Sequence, residues 1–209
     1  MVQHIEIDPA SLGTQALFNV MTGSIVPRPI GWVSTVDRQG ARNLAPYSMF
    51  TAVCAKPPTV VFCPSYQPPD FKEKDTYRNI ATTGEFVINF VNDDTVQAMD
   101  TTAANVAPGV DEFELAGVTA LPSKIVRPPR VAESPIAFEC KLHELITIGL
   151  TSGGGHIVIG TGVYMHFQEG VYTEDNHIHF DEYRPIGGLV GHSYAHISDL
   201  FDIDAASSR

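Results

Sequence analysis

Residues 30–50 read "IGWVSTVDRQGARNLAPYSMF", and the fold turns on how this stretch divides. The run 30–36 is apolar and strand-like, "DRQG" (37–40) is a short polar loop ending in glycine, and apolar residues resume beyond it. Such a loop between two strands predicts a β-hairpin, with Gly40 supplying the positive φ. The returning half, "NLAPYSMF" (43–50), is awkward as a strand. It carries an amide, a proline, a phenol and a hydroxyl, and a central strand avoids proline because proline donates no ladder hydrogen bond. Buried polar side chains also cost free energy unless something satisfies them. On the residues alone two readings stay open. One is a surface strand with an edge proline. The other is a strand end whose freed backbone groups, with Tyr47 or Ser48 at the rim, meet the edge of a planar heteroaromatic ligand.

Further along, "TVVFC" (59–63) is a short buried strand and "EFVINFV" (85–91) sets Phe86, Ile88 and Phe90 against Val87, Asn89 and Val91. The alternation is clearest in "IAFECKLHELI" (136–146), where Ile136, Phe138, Cys140 and Leu142 point one way and Glu139, Lys141 and His143 the other. A glycine turn, "TSGGG" (151–155), leads into a long strand over 156–167, and "HIHF" (177–180) is short enough to pair at an edge. Three helices are expected. The segment 75–84 has Asp or Thr as its cap and Gly84 as its stop; the others lie at 93–103 and 110–117. Strands joined by hairpins and outnumbering short helices predict an antiparallel barrel, whose closure removes exposed edges.

The chain has 209 residues, enough for one domain over 1–209 with a proper core. Its formal net charge is −11, with no block of Lys or Arg, which argues against nucleic acid as a partner. No run approaches the ~20 apolar residues of a membrane span, and "MVQHIEIDPA" has no secretory pattern. Cys54, Cys63 and Cys140 match no zinc spacing, and Cys63 and Cys140 sit in apolar runs, so the expected compartment is the reducing cytoplasm. Residues 197–209 read as an acidic C-terminal tail.

Among segments that could carry chemistry, "KEKDTYRN" (72–79) puts Lys72, Lys74 and Thr76 at a helix start. Free backbone N–H groups and the helix dipole make such a start an anion site, suited here to a phosphate monoester, although a solvated, capped helix start would look the same. His177 and His179 share a strand face and His192 and His196 stand i, i+4, but "HSYAH" lacks the glutamate of a zinc helix and no metal site is expected. "IGGLVGH" (186–192) lacks the order of a dinucleotide fingerprint, leaving a mobile tail loop or one that closes over a ligand. No GxSxG nucleophile motif occurs.

Taken in order, "RPIGWVSTVDRQGARNLAPYSMF", "KPPTVVFCPS", "KDTYRNIATTGEFVIN", "GVDEFELAGVTALPS", "RPPRVAESPIAFECKL" and "VIGTGVYMHF" resemble the flavin reductase-like family of FMN-binding split-barrel proteins, over about residues 18–195. The resemblance implies a mainly β protein with short helices, a six-stranded antiparallel split β-barrel that forms a homodimer and binds FMN near the subunit interface. By the same analogy Asn43, Leu44, Ala45, Pro46, Tyr47 and Ser48 run along the isoalloxazine edge, joined by Ser34. Ser65, Lys74, Asp75 and Thr76 hold the ribityl phosphate, and Arg28 approaches the phosphate or the neighbouring subunit. His192 and Tyr194, on the glycine-rich tail, are placed by position to receive a nicotinamide.

The activity implied is an NAD(P)H-dependent flavoprotein oxidoreductase, with hydride passing from NADH or NADPH to FMN, acting as a flavin reductase. No side chain need act as acid or base in that step, so no catalytic residue is named. A flavin-dependent monooxygenase is a possible acceptor of the reduced flavin. Two further readings share the site: an FMN-containing reductase of a bound organic substrate such as a nitroaromatic acid, held by Arg28 or Arg184, and a non-enzymatic FMN electron carrier. A metal-dependent hydrolase built on the histidines would instead be indifferent to FMN.

Overall fold

The structure is a computed structural model that describes residues 2–66, 72–107 and 109–203; the last six residues of the acidic tail lie outside them. Strands β1 (Gly31–Val36), β2 (Arg42–Tyr47), β3 (Phe50–Ala55), β4 (Pro58–Phe62), β5 (Glu85–Phe90), β8 (Ile136–Ile148) and β9 (Gly155–Phe167) form one antiparallel sheet in the order β2-β1-β5-β8-β9-β4-β3. It has seven strands where six were expected, because the chain bends at Ser48–Met49 and Phe50, the last residue of the awkward stretch, opens a separate strand, β3. The two edge strands, β2 and β3, are thus two residues apart in the chain. In a flat sheet of this order they would stand about 29 Å apart, at six spacings of ~4.8 Å. The sheet must therefore curl on itself, although no strand ladder joins β2 to β3 among the described residues.

The β1–β2 hairpin forms as expected. Gly40 has φ 93°, and the Asp37 carboxylate accepts from the N–H groups of Gln39 and Ala41, each at 2.8 Å. All six residues of β1 are buried because both its faces are covered. Val33 joins Tyr47, Phe62, Phe86 and Ile88 in the core enclosed by the curl. Trp32 on the opposite face packs with Leu44, Met99 and Phe113. That outer core is closed by α3 (Val96–Thr101) and α4 (Glu112–Ala116). Phe86 and Ile88 of β5 point into the enclosed core while Val87 faces away, as the alternation requires. Cys140 is a core hydrophobe whose thiol burial pushes up to about 12.

Helix α2 (Asp75–Thr83) ends at Gly84, which takes the left-handed conformation with φ 71°. Its N-cap is Lys74, and no side chain caps it, so the expected Asp or Thr cap is corrected: Asp75 lies one position inside and pairs with Arg78. The 177–180 strand is likewise corrected. Ile178 makes only an isolated bridge to Tyr172, and Phe180 opens the short helix α5 (Phe180–Tyr183). Helix α1 (Thr14–Ser24) was not foreseen, since only Thr22 of it is buried and its apolar residues Phe18 and Met21 are exposed. The strand pairs β6 (Ala120–Leu121) with β7 (Arg130–Val131) and β10 (Ile186–Gly188) with β11 (Tyr194–His196) were also unforeseen. The latter turns the supposed tail loop into an ordered hairpin.

In the first half of β8 the alternation holds and Lys141 and His143 are exposed, but the outward face at Glu139 is covered. The segment 124–126 crosses it, and Glu139 is fully buried. Its carboxylate accepts from the N–H groups of Lys124 (2.6 Å), Ile125 (2.6 Å) and Val126 (3.0 Å), and His166 Nε2 lies 2.6 Å away. Every oxygen is used, which is what a buried carboxylate requires.

Candidate functional site

The β2 edge and the uncapped start of α2 face one another across a narrow, partly open cleft. Asn43, Ala45, Pro46 and Tyr47 line one side and Lys74, Asp75 and Thr76 the other. Seven of the twelve residues expected around the cofactor thus meet in one place. The strand supplies them because it is an edge strand. The Leu44 N–H points off the sheet and donates to Glu112 Oε2 at 3.1 Å, and Pro46, two residues on, has no N–H to leave unpaired. Of the freed backbone groups expected there, the edge therefore presents carbonyl acceptors.

Three features set the electrostatics. Without a side-chain cap, the first N–H groups of α2 are available to a ligand, and the helix dipole favours an anion there. Lys74 is half-buried, and burial lowers its ammonium below the usual lysine value. The Tyr47 hydroxyl is buried with no hydrogen-bond partner, and burial pushes the phenol far above its ordinary value. The Thr76 hydroxyl beside it accepts from the Asn43 side-chain amide at 2.9 Å, and its nearness only partly offsets the rise of the phenol. A buried hydroxyl left without a partner in a cleft is a donor waiting for an acceptor. Free N–H groups, a lysine and this phenol together form a donor set that fits the phosphate end of a flavin nucleotide and one edge of its ring.

The far wall was not read from the sequence. It consists of Thr102–Val106 and Glu112. The indole N–H of Trp32 donates to the Thr102 hydroxyl at 2.8 Å and holds the start of that wall. Glu112 is 7 % exposed, and burial raises its carboxyl above the usual glutamate value. A glutamate just inside a helix start reads as a solvated charge. Only the docking of α4 on β2 makes it part of a cleft.

The other expected residues lie elsewhere. The Ser34 hydroxyl is fully buried and donates to the Pro129 carbonyl at 2.5 Å. Arg28 is also buried. Its guanidinium donates to the carbonyls of Thr22, Ile25 and Leu189 and to the Ser48 hydroxyl, at 3.1 Å for the last. Arg28 and Ser48 therefore clamp the C-terminal end of α1, where a cation suits the helix dipole, and neither lines the cleft. Ser65 is exposed beyond the end of β4, bridged to Gly155. Its neighbour Tyr66 packs on His156, which stacks on Tyr77 of α2 with ring centroids 3.7 Å apart. His192 Nδ1 (3.0 Å) and the Tyr194 hydroxyl (2.6 Å) both meet the Asp100 carboxylate, and their hydrogen bonds hold it below the usual aspartate value. They fasten the C-terminal hairpin to α3. His196 pairs with a different carboxylate, Asp93, at 2.8 Å. Among the described residues no group of three or more His, Cys, Asp or Glu could hold a metal ion, and no helix is long and apolar enough to cross a membrane.

Residues 22–187 match the model of the flavin reductase like domain. The chain is similar to nitrilotriacetate monooxygenase component B of Bacillus cereus, at 35% identity over 97% of this chain and 100% of that one, with a TM-score of 0.92. It is also similar to 2-nitrobenzoate 2-nitroreductase of Pseudomonas fluorescens, at 30% identity, 98% and 97% coverage and a TM-score of 0.85. A Shewanella frigidimarina protein with a split barrel domain shares the fold, at 24% identity, 95% and 96% coverage and a TM-score of 0.81. The chain belongs to the flavin reductase-like family.

Proposed function

We propose that the chain is an FMN-dependent NAD(P)H oxidoreductase acting as a flavin reductase. The observation that carries the reading is the unpartnered Tyr47 hydroxyl, buried in the same cleft as the uncapped start of α2 and the half-buried Lys74. Lys74, Thr76 and the first N–H groups of α2 would hold the FMN phosphate. The carbonyls of Leu44 and Pro46 would accept from the ring's imide N–H, and the Tyr47 hydroxyl would donate. When bound, FMN supplies the chemistry by accepting a hydride from NADH or NADPH and passing the electrons on. The chain's own part is to bind, orient and limit water, with the 102–106 wall, and Glu112 bonded to the Leu44 N–H of the β2 edge, covering the cleft.

The cleft alone is too narrow for a whole flavin, so the ring would lie along the β2 edge and need a second surface to cover it. A homodimer supplies one. Val53 on the β3 edge and Val163 and Met165 on nearby β9 are exposed apolar residues of the kind an interface covers. Likeness to a monooxygenase component B favours a partner monooxygenase as the electron acceptor, and the free cysteines suit the cytoplasm as the compartment.

The second reading, reduction of a bound nitroaromatic acid, is favoured by likeness to the nitroreductase. It loses its two expected anchors. Arg28 is spent on carbonyls, and Arg184 is paired with Asp93 and Asp94.

The test is an anaerobic absorbance trace of FMN-loaded protein after addition of NADPH and then NADH. Rapid bleaching of the flavin band is expected. FMN binding without bleaching would leave an electron carrier, and failure to load FMN would end the flavin reading.

A further inference from the structure

Beyond Asn43 and Asp75 the candidate site adjoins a second, larger cleft of about 360 Å3, within the range of small-molecule sites. One wall is the tip of the β1–β2 hairpin with Arg42. The other is the face of α2 bearing Asp75, Arg78, Asn79 and Thr82, whose spacing aligns them along one side of the helix. Three of the chain's eight arginines, Arg38, Arg42 and Arg78, line this space in a protein of net charge −11.

The local carboxylates are committed to internal partners. Asp37 caps the hairpin, Asp75 pairs with Arg78, and Asp111 with Glu114 holds Arg42. Arg38, exposed at the hairpin tip, forms no ion pair among the described residues. A guanidinium pairs with phosphate and stacks on a purine through the same planar group. Position supplies the rest. The second cleft begins at Asp75, beside the N–H groups read above as the FMN phosphate site, so a ligand that continues past that phosphate enters it.

We propose that this second cleft binds the adenosine 5′-phosphate portion of a dinucleotide. The proposal rests on the flavin reading of the adjoining cleft. Adenosine 5′-phosphate is common to FAD and to the nicotinamide dinucleotides, so either could present it.

The experiment is titration calorimetry of AMP, and separately of FMN, into the wild type, Arg38→Ala and Thr82→Trp. AMP is expected to bind the wild type and to bind both variants at least tenfold more weakly, with FMN affinity unchanged within twofold. No AMP binding, or equal binding by all three proteins, overturns the proposal. Arg38-dependent AMP binding by a wild type that does not take up FMN would uphold the AMP site and sink the flavin reading instead. Two further measurements identify the source. If FAD binds the wild type at least tenfold more tightly than FMN and Arg38→Ala removes the difference, the flavin presents the adenosine. If FAD and FMN bind alike and Arg38→Ala raises KM for NADH or NADPH at least fivefold at unchanged kcat, the nicotinamide dinucleotide does. If neither changes, the cleft serves no dinucleotide and the proposal falls.

Discussion

The Asn43 side-chain amide donates to the Thr76 hydroxyl at 2.9 Å, both residues are buried, and this bond ties the edge of β2 to the first turn of α2. The two halves of the candidate site are held in register by it. Asn43→Ala would leave the Thr76 hydroxyl without its donor, at a cost of about 1–3 kcal/mol. Replacing both groups, Asn43→Leu with Thr76→Val, should cost less than Asn43→Leu alone and Thr76→Val alone added together, because no polar atom is then stranded. Urea denaturation of the four proteins measures the coupling, and strict additivity would show that the bond does not join the elements.

Tyr47→Phe removes a buried hydroxyl that has no protein partner. In the ligand-free protein the change should be neutral or stabilise by about 1 kcal/mol, since only an unsatisfied group is lost. Flavin binding should move the other way, weakening about tenfold as a charge-neutral hydrogen bond of ~1.4 kcal/mol is lost. Thermal melts with and without FMN separate the two effects. A variant destabilised equally in both states would show that the hydroxyl serves the fold.

Lys74 stands at the N-cap of α2 and lines the cleft. Lys74→Ala should weaken FMN at least tenfold, about 1.4 kcal/mol, and leave riboflavin affinity unchanged, because riboflavin carries no phosphate. Flavin fluorescence titrations give both constants. Equal losses for the two ligands would move the lysine from the phosphate to the ring.

Burial alone would raise the Glu139 carboxyl, but hydrogen bonds from Lys124 N–H, His166, Ile125 N–H and Val126 N–H outweigh it and hold it below the usual glutamate value. The unfolded chain therefore takes up this proton first as the pH falls. Stability from this group is complete above the unfolded value of about 4.3 and declines as the pH drops through the folded value. Glu139→Gln should lower stability at pH 7 by about 3 kcal/mol, since an amide cannot accept from all four donors. It should also flatten the acid limb. Urea midpoints between pH 3 and pH 7 test this, and an acid limb as steep as the wild type's would assign it to other carboxylates.

Local physics made much of this legible. Alternation placed β5 and the first half of β8, Gly40 and Gly84 marked a hairpin and a helix end through backbone conformations that side chains resist, and "NLAPYS" with "KDT" named the two sides of one cleft. Those signals live within a few residues, where steric and hydrogen-bonding rules act directly on the chain.

What only the tertiary structure decided was which polar groups already have partners. Arg28 and Ser34 look like ligand-binding residues in isolation, yet a carbonyl 161 residues from Arg28 and one 95 residues from Ser34 take up their donors. Glu112 and Glu139 look like solvated charges, yet packing of α4 and of segment 124–126 buries both. The Tyr47 hydroxyl ends buried beside Thr76 with no well-placed hydrogen-bond partner. Hydrogen-bond partnership across the fold is a property of long-range contacts, set by how the curled sheet brings distant segments together, and no local pattern encodes it.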